Sequence, residues 1–265
     1  MEFVVTLMAY LGLGAFAGTL AGLFGIGGGL VIVPALVFGF QFQGVDQQVL
    51  THLAVGTSLT TIIITSMSSV RTHHQKGAVN WAIFKPLAVG IVLGACLGAN
   101  TASNIKGPVL QTIIGVFAIV IAIQMLLALA PKPTRSLPND GTLFATGGVF
   151  GWASAIFGIG GGSLIVPYLS WCNVKMQEAV GTSSACGFPI AVSGAVTYIY
   201  LGWNNPLLPD YSTGFVYWPA FVGITLTSVL FARLGAKLAH SLSSVMLKRI
   251  FGVLLLCVGT RFLLG

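Results

Sequence analysis

Two glycine runs carry the clearest chemical potential in this sequence. Phe24-Gly25-Ile26-Gly27-Gly28-Gly29-Leu30-Val31-Ile32-Val33-Pro34 returns as Phe157-Gly158-Ile159-Gly160-Gly161-Gly162-Ser163-Leu164-Ile165-Val166-Pro167. Three consecutive glycines interrupt a helix. A helix that restarts after them presents unpaired backbone N–H groups at its new N-terminus. That end carries about half a positive charge and is suited to an anion. The expected anion contacts are Gly27, Gly28, Gly29 and Leu30 in the first run, and Gly160, Gly161, Gly162 and Ser163 in the second. A dinucleotide fingerprint is excluded. It needs glycine where Leu30 and Ser163 stand, and no strand pattern precedes either run. Close helix packing is the alternative reading of the glycines.

A second repeated element supplies hydroxyls. Ala54-Val55-Gly56-Thr57-Ser58 returns as Ala179-Val180-Gly181-Thr182-Ser183. Thr57 lies about eight residues into its helix, roughly 12 Å deep at 1.5 Å per residue. Thr57, Ser58, Thr182 and Ser183 are therefore expected beside the anion, or else bonded to their own helix backbone. The remaining chemistry-bearing residues form no site. His73-His74 lacks nearby Cys, Asp or Glu, so no metal is expected. Cys96, Cys172, Cys186 and Cys257 lie in apolar runs without a Cys-x-x-Cys spacing and read as packing residues. Glu2, Asp46, Asp140, Glu178 and Asp210 fall at segment ends or in loops, which excludes a carboxylate relay through a membrane. No catalytic constellation appears, so the chain reads as a non-enzyme without a cofactor.

The elements that must position these residues follow from composition. Of 265 residues only 6% are charged, 55% are hydrophobic, and the mean hydropathy is +0.95. A soluble domain carries roughly a quarter charged residues. An ordinary soluble enzyme, a disordered regulator and a nucleic-acid binder are excluded, and the lipid bilayer is the fitting solvent. Apolar segments lie at 3–24, 29–42, 49–70, 81–101 and 108–130, then at 142–157, 162–172, 177–201, 214–236 and 246–264. A helical span needs about 20 residues. Segments 29–42 and 162–172 are too short, and are expected as re-entrant partners of the segments before them, hinged at the glycines. Gly14, Gly18 and Gly22, like Gly90, Gly94 and Gly98, form small-xxx-small stripes for close helix contact.

Further markers recur in order: Pro86-x3-Gly90 as Pro219-x3-Gly223, and Gly98-Ala99 as Gly235-Ala236. The chain reads as two transmembrane halves, 1–130 and 142–265, joined by a polar, proline-rich linker at 131–141. Five segments per half is an odd number, so the second half is inverted. The expected fold is an all-α polytopic membrane protein of two inverted-topology repeats with broken helices at the glycine runs, an architecture common among secondary transporters. One side of the membrane collects ten Lys and Arg residues, and the other only Lys106 and Arg261. That asymmetry puts the linker in the cytoplasm and both termini outside, and accounts for the net charge of +7.

The paired glycine runs, the two Gly-Thr-Ser triplets, and the closing stretch from Leu234-Gly235-Ala236-Lys237 to Phe251-Gly252 resemble the TauE/SafE sulfite-exporter family. Gly77-Ala78-Val79-Asn80-Trp81 is similar to that family's loop after the third helix, with Asn80 where an acid is often found. The resemblance implies an inner-membrane exporter of sulfite, sulfur oxyanions or sulfonated organic acids. A channel and a non-transporting scaffold are the alternatives. The expected partners are a small anionic substrate and the bilayer; a homodimer is allowed, and nucleic acid is not expected.

Overall fold

The computed structural model describes residues 2–24, 29–127, 134–239 and 244–264. The helices are α1 (Glu2–Phe24), α2 (Gly29–Phe42), α3 (Gln47–Gln75), α4 (Trp81–Ser103), α5 (Gly107–Leu126), α6 (Asp140–Phe157), α7 (Gly162–Trp171), α8 (Met176–Leu201), α9 (Trp218–Ala239) and α10 (Ser244–Leu264). Local sequence starts several of them. Asp46 accepts the Gln48 N–H at 2.8 Å, Asn80 accepts from Ala82 and Ile83, and Asn139 accepts from Thr142 at 2.9 Å. Each side chain satisfies N–H groups that the first helical turn leaves unpaired. Pro108 stands in the first turn of α5, where a missing N–H costs nothing.

The α3, α4, α5 and α8 helices are long and apolar enough to cross a bilayer. Helices α2 and α7 have 14 and 10 residues. At 1.5 Å per residue both are shorter than a hydrocarbon core of about 30 Å. Several boundaries differ from the sequence reading: the segment expected to end at 70 stays helical to Gln75, and the one expected to end at 130 leaves its helix at Leu126. The segment expected to begin at 214 starts its helix only at Trp218, because a hairpin intervenes. Strand β1 (Ser212–Thr213) pairs with β2 (Val216–Tyr217) across Gly214 and Phe215. Gly214 has φ +53°, a conformation that glycine adopts without steric cost.

Helix α1 lies along α9, α4 along α6, α5 along α10 and α3 along α8. The glycine stripes make the first two pairings close. A methyl on Gly18 would sit 2.5 Å from Ser228 Cα, and one on Gly151 would sit 2.8 Å from Ile91 Cα. At the centre, every residue of α3 from Val49 to Ile62 is buried. Two of its hydroxyls are met inside the helix, Thr60 donating to Gly56 O at 2.8 Å and Thr61 to Ser58 O at 2.7 Å. Back-bonding of this kind lets a polar helix sit in an apolar bundle. The outer surface is apolar instead: Val89, Leu93 and Leu97 of α4 are exposed.

Candidate functional site

The second glycine run ends α6 and starts α7. Gly158 closes α6 in the left-handed conformation, φ +64°, with its N–H on Ser154 O. The Ile159 N–H returns to the same carbonyl at 3.0 Å. Gly160 and Gly161 are not helical, and α7 begins at Gly162. The N–H groups of Gly160, Gly161 and Gly162 have no acceptor among the described residues. They border a cavity of about 80 Å³ between α3, α7 and α8. Ser183 lines it, is 1% exposed, and its hydroxyl has no partner. The buried Ser163 hydroxyl is unpartnered as well. A buried hydroxyl left unpaired costs about 1–3 kcal/mol, which a bound acceptor would recover.

Thr65, Ser66 and Ser69 of α3 and Ser184 of α8 complete the polar lining. The sequence reading passed over these four because they belong to no repeat. In the register set by the two Gly-Thr-Ser triplets, α8 carries Ile190, Ala191 and Gly194 where α3 carries Thr65, Ser66 and Ser69. The hydroxyl-rich lining therefore serves the second run alone.

The first run is only partly visible: Gly27 and Gly28 lie outside the described residues. Gly29 and Leu30 open α2 and are buried. A methyl on Gly29 would fall 2.7 Å from Gly158 O and 2.8 Å from Ile159 Cα, so the start of α2 lies against the end of α6. Ser58 joins the two, donating to Gly158 O at 2.9 Å.

The threonines of the triplets do something else. Thr57 Oγ1 accepts the backbone N–H of Tyr217 at 3.0 Å. Thr182 Oγ1 accepts that of Asn80 at 2.9 Å. The preceding glycines make room for the same two loops, Gly56 lying against Phe215 O and Gly181 against Ala78 O. A shared pattern explains the match: Gly77-Ala78-Val79-Asn80-Trp81 and Gly214-Phe215-Val216-Tyr217-Trp218 both read Gly-x-Val-x-Trp. Gly77 also has positive φ, +64°. This repeat, visible in the sequence, was the missing signal for the two loops. It also corrects the alignment of the halves, since Pro219 and Gly223 stand one helical turn out of register with Pro86 and Gly90.

The two loops close opposite ends of the bundle differently. At one end Phe215 lies tilted against His52 and meets Tyr198 edge-on, while Tyr217 meets Tyr10 and Phe40. Burial raises the Tyr217 phenol above its ordinary value, with Tyr211 and Asp210 adding to the effect. His52 is fixed there, its Nε2 lying 3.0 Å from Ala102 O and 3.1 Å from Ile105 O. At the other end Ala78 and Asn80 take the corresponding places, and a recess of about 880 Å³ opens. Asn80 donates there to the Glu178 carboxylate.

Comparison with known proteins places this architecture. The profile described as sulfite exporter TauE/SafE matches residues 10–262. The chain belongs to the TauE/SafE family. A probable membrane transporter protein from Haemophilus influenzae is 37% identical over 95% of this chain and 96% of its own length. Probable membrane transporter proteins from Methanocaldococcus jannaschii and Bacillus subtilis are 28% and 27% identical, covering 96% and 99% of this chain and 95% and 98% of their own lengths. No solved structure matches. As a TauE/SafE protein with several apolar helices, the chain is a multi-pass membrane protein of a transporter family.

Proposed function

We propose that this TauE/SafE protein is a secondary transporter that exports a small sulfur-containing anion, such as sulfite, another sulfur oxyanion or a sulfonated organic acid, across the inner membrane. The anionic head is held near the midplane, between the starts of α2 and α7. One observation carries the reading: the buried, unpartnered Ser183 hydroxyl and the unpaired amides of Gly160–Gly162 share one cavity. Its lining contains donors and no cation. Such a site neutralises a single charge with dipoles and releases it more readily than a buried lysine would. A volume of about 80 Å³ equals two or three water molecules. It suits a compact oxyanion head, the tail of any larger sulfonate lying beyond it.

The inverted repeat forms part of this proposal. Each half gives its first helix to the other half's fourth: α1 to α9, and α6 to α4. The matched contacts of Thr57 with Tyr217 and of Thr182 with Asn80 support the same two-fold relation. The test is calorimetric titration of purified protein with sulfite, thiosulfate, sulfate, sulfoacetate and taurine. One sulfur anion should bind, and Ser183→Ala should weaken it roughly tenfold, the loss of one hydrogen bond to a charged group. Binding of none, or unchanged affinity in Ser183→Ala, would overturn the reading.

A further inference from the structure

A second, larger recess opens beside Asn80. It lies between the α3–α4 connection and the start of α8, and it contains Lys76, Lys175, His73 and Glu178. Lys76 and Lys175 are exposed, and the Glu178 carboxylate is engaged by Asn80. No side chain caps the N-terminus of α8, whose first turn borders the same space. Positive charge therefore predominates, with one carboxylate offsetting it. The recess and the second-run cavity share one wall residue. Val180, half-buried on α8, lines both. At the opposite end of α3 and α8 the equivalent space is filled, because Phe215 and Tyr217 stand where the recess has Ala78 and Asn80.

We infer that the recess is an anion-binding vestibule through which the substrate loads, and that Val180 is the constriction between it and the second-run cavity. The inference rests on the proposed anion site and adds its route of access. An anion drawn to Lys76 and Lys175 has one side chain to pass before it reaches Ser183. Approach from the other end is blocked by buried aromatic rings at Phe215, Tyr217 and Tyr10. A cleft lined mainly by one sign of charge concentrates ions of the other sign.

Thiol accessibility tests this without knowledge of the natural substrate. Ser183→Cys is treated, with the membrane potential collapsed, with impermeant methanethiosulfonate reagents bearing either an ethylsulfonate or an ethyltrimethylammonium group. Modification at residue 183 is read by mass spectrometry, and Gln75→Cys reports which membrane face bears the recess. Modification at 183 is expected only from the face that modifies Gln75→Cys. The anionic reagent should react about tenfold faster, the low end for a focusing cleft, since Glu178 offsets one lysine. Lys76→Gln combined with Lys175→Gln should abolish that preference, and Val180→Trp should abolish modification by both reagents. Ser66→Cys, on the α3 wall of the same cavity, replaces Ser183→Cys if that variant does not fold, and Val180→Phe replaces Val180→Trp. Modification from the opposite face, equal rates for the two reagents, or full-rate modification in the Val180 variant would each overturn the inference. A protein that carries some other anion passes this test while failing the sulfur-anion titration, so the two failures are distinguishable.

Discussion

Thr182 Oγ1 accepts the backbone N–H of Asn80 at 2.9 Å, bridging residues 102 positions apart. Asn80 begins α4 and Thr182 lies inside α8, so the bond fixes the entry of one helix to the side of another. The Tyr217–Thr57 bond does the same for α9 and α3. A hydroxyl oxygen is the one group that a threonine offers and a valine of the same shape does not.

The first prediction follows from that bond. Thr182→Val leaves the Asn80 N–H without its acceptor in a half-buried position, and should cost about 1–3 kcal/mol. Thr182→Ser keeps the oxygen and should restore most of it. Thermal unfolding of the purified variants in detergent is the measurement. Equal melting temperatures for the valine and serine variants would show that the bond carries no stability.

The glycines of the second run separate affinity from packing. A methyl on Gly160 would meet only Ile62 Cγ2, at 3.7 Å, whereas one on Gly161 would stand 2.9 Å from both Ser183 O and Ile165 Cδ1. Gly160→Ala should fold normally and weaken anion binding by roughly tenfold, through crowding of the amides. Gly161→Ala should disturb the cavity and its stability together. Gly94→Ala, which presses on the backbone of Gly148 in the α4–α6 contact, should lower stability and leave affinity unchanged in the folded fraction. Wild-type affinity in Gly160→Ala would remove the anion from these amides.

Orientation is testable at Ser136, an exposed residue of the connection before α6. The ten-to-two asymmetry of basic residues is the basis for expecting it in the cytoplasm. A thiol introduced by Ser136→Cys should resist an impermeant reagent in intact cells and react after the membrane is opened. Labelling in intact cells would reverse the assignment.

Transport of a monoanion should move net charge, because the cavity holds no titratable carboxylate. An inside-negative potential favours efflux by about 2.3 kcal/mol per charge per 100 mV. Proteoliposomes loaded with the bound anion should release it faster under such a potential than at zero. Equal rates would mean neutral exchange or proton coupling.

Helix positions were legible because lipid imposes a strong hydropathy pattern. The segments read at 29–42 and 81–101 match α2 and α4 within two residues. The start of α9 was misplaced by four residues because Phe215, Val216 and Tyr217 are apolar enough to extend a helix, yet Gly214 turns them into a hairpin. The glycine runs and triplets were legible as repeats, but not what each hydroxyl touches. Thr57 and Ser58 are neighbours in sequence, and one reaches the loop before α9 while the other reaches the end of α6. Helical rotation about the α3 axis decides that, and no local pattern records it. Thr65, Ser66 and Ser69 were invisible for the opposite reason, since the second half breaks the repeat there.

The crossed pairing of α1 with α9 and of α6 with α4 also bears on what counts as a piece of this protein. The linker at 131–141 looks like a domain border, yet neither side of it holds a complete set of helix neighbours. A fragment ending at 130 would carry the glycine faces of α1 and α4 with nothing seated on them, and a fragment starting at 142 would lack the surfaces that cover α6 and α9. The two products are complementary, like the strands of a split tag, and only their joint synthesis restores the bundle. A screen that scores each fragment alone would call both dead, although severing the chain at 136 removes no helix-to-helix contact.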